Sequence, residues 1–224
     1  IDPLESINDY GTDALRLALI QGTGPGQDLR LYPEKLESCR RFANKVWNAG
    51  RYILMNIPDG TSVAPPENAQ SEQVQWLLHE LDLLIEKTQQ GLEAFRLSEV
   101  IDNLRSFFWG TFCDWYLEMD KRPGRGEEDN RVLAYALGTQ LKLLHPYIPF
   151  VTEALWDNLG QRTMLAKAPW PELQGFNYSK SHQKLELICE AVSQLRTLRE
   201  KARLGLNQMI DASINSNQNA DIFQ

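Results

Sequence analysis

Apolar side chains recur three and four residues apart along most of this chain, the period of helices with one buried side. The clearest case follows Pro33. There Leu36, Cys39, Ala43, Val46, Gly50, Ile53 and Ile57 form a seam that predicts a helix to about residue 57. After the linker PDGTSVAPPENAQ, Ser71 is placed to cap a second helix with Val74, Leu77, Leu78, Leu81, Leu84 and Ile85 on one face. Ser98 starts a third, with Ile101, Leu104, Phe107, Phe108, Trp115 and Tyr116 inward, ending near the loop KRPGRGEEDN. A fourth, from about Asp129 to His145, carries Leu133, Ala136, Leu137, Leu141 and Leu144. Pro146 and Pro149 break it, and FVTEALWDNLG makes one short further helix ending at Gly160. The last helix is expected from about Lys180 to Arg203, with Leu185, Ile188, Val192 and Leu195 in heptad-like spacing.

The ends of the chain pattern differently. IDPLESINDYGTDALRLALI reads as two short helices around Gly11, with Asp2 as a cap, Pro3 at the first helical position and Thr12 or Asp13 opening the second. QGTGPGQDLRLY is too rich in glycine to be helical and holds a short extended piece at Asp28–Leu31. MLAKAPWPELQGFN is irregular or extended, and MIDASI at 209–214 alternates like the start of a strand. The fold class is all-α: an antiparallel helical bundle with short extended segments and a strand beginning near the C-terminus. No repeat of solenoid length is visible.

Composition narrows the possibilities. With 224 residues, 42% hydrophobic and 24% charged, the chain can bury a sizeable core. No apolar run has membrane-spanning length and no signal peptide opens the chain. Cys39, Cys113 and Cys189 are few, odd in number and far apart, as are His79, His145 and His182, which argues against disulfides and a metal site and for a reducing cytoplasm. The formal charge of −7 is unevenly spread: residues 29–57 carry six basic residues against two Glu, while 58–104 carry two against nine acids. Screening acts over about 8 Å at physiological salt, so distant acidity does not erase that basic patch.

On a helix starting at Pro33, the face opposite the seam gathers Arg40, Arg41, Asn44, Lys45, Asn48, Arg51 and Tyr52. Arginine and lysine neutralise phosphates, asparagine reads base edges, and an exposed tyrosine can stack an unpaired base. A solvated helix face with one incidental tyrosine fits the same residues. Trp47 and the run FFWGTFCDWY, at helical spacing, read as core; the basic loop Lys121–Arg125 reads as a solvated loop or a phosphate contact. Gly22, Gly24 and Gly26 lack the GK[ST] of a phosphate loop, and no catalytic motif is present.

Several stretches together resemble the valyl-tRNA synthetases, class I aminoacyl-tRNA synthetases. They are IDP and YGTDALR, GQDLRL at 26–31, FANKVWNAGRY at 42–52, FFWGTFCDWYLEMDK at 107–121, LLHPYIPFVTEALW at 143–156 and LRTLREKARLGLN at 195–207. The resemblance implies a piece downstream of the KMSKS signature, lacking KMSKS, HIGH and the editing domain. It implies three parts: a stem-contact connector over 1–32, a helical anticodon-binding bundle over 33–175 and the start of a truncated C-terminal region over 176–224. It implies tRNA(Val) as partner, without DNA or membrane, and a cytoplasmic monomer. No catalytic residue, cofactor or metal is expected here; ATP belongs to the parent enzyme, valine–tRNA ligase. Tyr52 takes the position of an aromatic that supports a stacked anticodon base; where the resemblance implies a basic residue near the helix start this chain reads Glu34–Lys35, so Lys35 would have to substitute. The alternative is a structural or protein-docking bundle that binds no RNA.

Overall fold

The computed structural model describes residues 2–24, 26, 28–121, 125–205, 208, 209 and 211. Two short helices, α1 (Pro3–Tyr10) and α2 (Thr12–Ile20), come first. Asp2 caps α1 through Leu4 N, with Pro3 at the first position, and Gly11 at φ 92° makes the corner that most side chains would resist. Then come α3 (Pro33–Leu54) and α4 (Glu72–Glu93), the latter capped by the Ser71 hydroxyl accepting from Val74 N. Helix α5 (Leu97–Ser106) runs without a break into a π-helix, Phe107–Tyr116, and a last α-turn, α6 (Leu117–Met119). Helices α7 (Glu127–Leu144), α8 (Pro149–Asn158) and α9 (Ser179–Lys201) complete the order, with a 3-10 turn at Leu165–Lys167. All regular structure among the described residues is helical. Of the strand expected at 209–214 only Met209 and Asp211 are described, so that expectation lies outside the described residues.

Helix α7 is the centre. From Val132 to Leu144 every residue except Lys142 is buried, so its apolar surface is wider than the single stripe expected from the sequence. A helix apolar all round must be wrapped, and α3, α4, α5 and α8 pack on it. Helix α3 buries Leu36, Cys39, Phe42, Val46, Ala49, Gly50 and Ile53. Its stripe thus includes Phe42 and Ala49, while Ala43 and Ile57, expected in the seam, are half-buried. The helix ends at Leu54 rather than near Ile57: Pro58 follows, and Asn56 Nδ2 donates to Tyr52 O at 2.6 Å. Helix α9 leans on α4, but only Ser181, Leu185 and Cys189 are buried there. Ile188, Val192 and Leu195 stay half-exposed.

The π-helix changes which aromatics reach the core. In an α-helix, four residues overshoot a full turn by about 40°. The longer i→i+5 turn makes four residues fall about as far short of a full turn, so the i, i+4 row drifts the opposite way and a mixed stretch keeps it on one face. Phe108, Phe112 and Tyr116 accordingly line up inside, with ring centroids 5.8 and 6.1 Å apart. Trp109 leaves the core at 40% exposure, and Trp115, expected inward, is half-buried under Arg196 at 4.9 Å.

Two carboxylates tie the layers together. Asp13, in the first turn of α2, accepts from Phe150 N at 3.1 Å and Val151 N at 2.8 Å, satisfying the open N–H groups of α8. Asp82 on α4 does the same for Gln174 N and Phe176 N, at 3.2 and 2.7 Å, which fixes the irregular segment before α9. Asp13→Ala would leave two part-buried donors at the α8 N-terminus without their side-chain partner. It is expected to lower unfolding free energy by about 1–3 kcal/mol, and Asp13→Asn by less, measured by urea titration of tryptophan fluorescence.

Candidate nucleic-acid interface

Helix α3 is built to show one side. Its buried stripe faces α2, α7 and α8, so Arg40, Arg41, Asn44, Asn48 and Arg51 emerge exposed on the other, with Lys35, Lys45 and Tyr52 half-buried. The expected residues therefore share one surface. They are not all free. Glu37, one turn back, accepts from Arg40 Nε at 2.7 Å and Nη2 at 2.9 Å, and from Arg41 Nε at 3.0 Å. Lys45 lies 3.5 Å from Asp114 and stands over the Trp109 ring at 5.0 Å. Arg51 has no ion pair among the described residues. The hydrogen bonds from Arg40 and then Arg41 hold the Glu37 carboxyl down to about 2, so it is ionised throughout the physiological range.

Tyr52 is not the fully projecting ring that a helical-wheel reading suggests. It packs partly against the core. It also lines an open cleft of about 610 Å³ together with Met55, Asn56, Lys121, Arg125 and Asn130. Met55 is 79% exposed beside it. Arg125 is fixed there by donating to Asn56 O at 3.2 Å and by pairing with the buried Asp120 carboxylate. An aromatic edge, an exposed thioether and two cations thus meet where α3 ends.

Residues 74–214 match a family model described as the anticodon-binding domain of tRNA ligase, which is more than half the chain. The chain belongs to the anticodon-binding domain family of tRNA ligases. Its relatives include the valine–tRNA ligase of Halalkalibacterium halodurans, 36% identical over 233 residues covering 100% of this chain and 26% of that protein. The valine–tRNA ligase of Solibacter usitatus is 39% identical over 219 residues, covering 96% and 25%. The chain thus spans about a quarter of the length of the curated relatives it matches. Among solved structures, a LeuRS–tRNA–LeuAMS ternary complex from Agrobacterium radiobacter K84 superposes with a TM-score of 0.64 at 20% identity, over 81% of this chain and 21% of that one. That likeness concerns the fold.

In this anticodon-binding domain the sequence pattern located the helix face but missed its counter-charges. Glu37 lies three and four residues before its partners, a spacing that helices pair, and could have been found. The loop Lys121–Arg125 reads from the sequence as a solvated loop or a phosphate contact, but its place beside Tyr52, and that of Asp114 beside Lys45, come only from folding. The histidines also do not stay scattered. His79 and His182 come to 5.0 Å between ring centroids, and ligand-type atoms of Glu80, His182 and Glu186 lie within 4.8 Å of one another. Each already has a protein partner: His182 Nδ1 meets Glu80 at 2.8 Å, Trp76 Nε1 donates to Glu186 at 3.2 Å, and His79 Nδ1 bonds Phe176 O at 2.9 Å. This cluster clamps α9 to α4.

The Glu37 pairing is directly measurable. In an NMR pH titration its carboxyl should titrate at about 2, and in the Arg40→Ala/Arg41→Ala variant its midpoint should return towards 4.5. Because the folded value lies below the unfolded one, the stabilisation is present above about 4.5 and is lost as pH falls through about 2. An unshifted wild-type midpoint would mean the pair does not persist in water.

Proposed function

We propose that this chain is the tRNA(Val) anticodon stem-loop binding part of a valine–tRNA ligase, whose full length attaches valine to tRNA(Val) with ATP. The carrying observation is the cleft at the end of α3, where Tyr52 meets Lys121 and Arg125 beyond a row of arginines and asparagines. The names of the relatives fit the same reading. Arg40, Arg41, Lys45 and Arg51 hold the stem and loop through phosphates, Asn44 and Asn48 lie within the same strip, and Tyr52 supports an unpaired base. Lys35 supplies a further cation at the helix start. Residues 1–32 form the stem-contact connector, 33–175 the anticodon-binding bundle and 176–224 the start of a C-terminal region. The assignment to a cytoplasmic, monomeric enzyme follows from the same reading. Nothing in the proposed role of these residues activates an amino acid, so the chain alone is expected to give no valine-dependent ATP–pyrophosphate exchange.

Filter binding of the tRNA(Val) anticodon stem-loop, against the same stem-loop with a substituted anticodon, tests the reading. The matched RNA should bind more tightly, with affinity falling steeply as salt rises. Equal binding of both would leave nonspecific charge attraction, and no binding of either would favour a docking bundle. Tyr52→Ala should cost about 1–3 kcal/mol on the matched RNA only, the energy of one stacked base.

A further inference from the structure

Trp109 is the large aromatic of the FFWGTFCDWY run that folding turns outward, and its surroundings resemble those of Tyr52. It is 40% exposed, while Phe107, Phe108 and Phe112 around it are buried. Lys45, from the row of cations on α3, stands over its ring at 5.0 Å. Beside it lies a cleft of about 610 Å³ that it lines with Tyr10, Glu37, Arg41 and Arg105. That volume falls in the usual range for small-ligand sites. Arg105 is fixed there by donating to Gln21 and to Ser38 Oγ. Arg41 gives its Nε to Glu37 and its side chain is 71% exposed, which leaves outer N–H groups available to a phosphate.

We propose that this cleft is a second nucleotide subsite, in which an unpaired base stacks on the Trp109 indole and its phosphate is held by Arg41. The inference rests on the reading of the α3 face as an RNA surface and adds to it a residue from another helix. Arg41 and Tyr52 lie on the same face of α3, eleven residues or about 16 Å apart along the axis, so the two clefts sit at opposite ends of one strip. Glu37 acts as a positioning residue, holding Arg41 over the cleft. A flat ring, a fixed arginine and a neighbouring ammonium are the parts that single-stranded RNA sites combine, because every base offers a face for stacking whatever its identity. The subsite therefore adds affinity without choosing a sequence.

The experiment measures fluorescence anisotropy of a labelled tRNA(Val) anticodon stem-loop with wild type, Trp109→Ala, Trp109→Leu, Trp109→Phe and Tyr52→Ala, after circular dichroism has verified folding. Trp109→Ala and Trp109→Leu should each weaken binding by about 5- to 150-fold, Trp109→Phe by less, and none should change the slope of affinity against salt, since stacking releases no counterions. The loss should be the same for a stem-loop with a substituted anticodon. Trp109→Leu binding as tightly as wild type would overturn the subsite, because leucine keeps the apolar bulk and removes the flat ring. Loss with Tyr52→Ala but not with either Trp109 variant would overturn this inference and leave the anticodon reading standing. Absence of binding by wild type would overturn both.

Discussion

The close approach of α8 to α3 at Gly50 sets the rest of the architecture. A side chain there would bring its Cβ to 2.6 Å from the Leu155 methyl groups, so glycine lets the two helices meet almost backbone to side chain. With α8 seated on that spot, α2 is held by Asp13 reaching the α8 N-terminus, and α7 is covered on the same side. One face of α3 is thereby committed along its full length, and the opposite face has nowhere to go but water. The exposure of its arginines and asparagines is a consequence of packing on the far side.

Much of this was legible in advance. The stripe of α4, its Ser71 cap, the Asp2–Pro3 start and the sequence of helices all follow from local rules, and each appears where the period puts it. Failures come where local rules give way to neighbours. A 3.6-residue reading places Trp115 in the core with Phe108 and Tyr116, whereas the π turn leaves it half-buried; Trp109, in a run read as core, is 40% exposed. Helix α9 looks like a buried seam from its leucine spacing, yet it contacts the bundle chiefly through α4, so half of that seam remains uncovered. The candidate site divides in the same manner. Its α3 residues were readable from one helical face; Lys121, Arg125 and Asp114 belong to segments that fold back from more than sixty residues away.

The charge balance of the surface also differs from what formal counting suggests. Three of the five cations on α3, Arg40, Arg41 and Lys45, are paired with Glu37 or Asp114, and those carboxylates also hold the side chains they neutralise. An arginine fixed by a fork of hydrogen bonds loses less conformational freedom when a phosphate arrives than one that swings freely. The acidic residues within the basic strip therefore serve order as well as charge, and the strong acidity of the neighbouring segment need not oppose it across a screened distance.

The three cysteines give the fold a practical property. Cys39, Cys113 and Cys189 are all buried, and burial raises each thiol, Cys113 to about 12 and Cys189 to about 11. At neutral pH none offers the thiolate that maleimides attack. A cysteine introduced at exposed Asn48 would consequently be the reactive one without any background being engineered away. Dyes, spin probes or crosslinkers could then be attached to the outer side of the helix in the otherwise unaltered polypeptide.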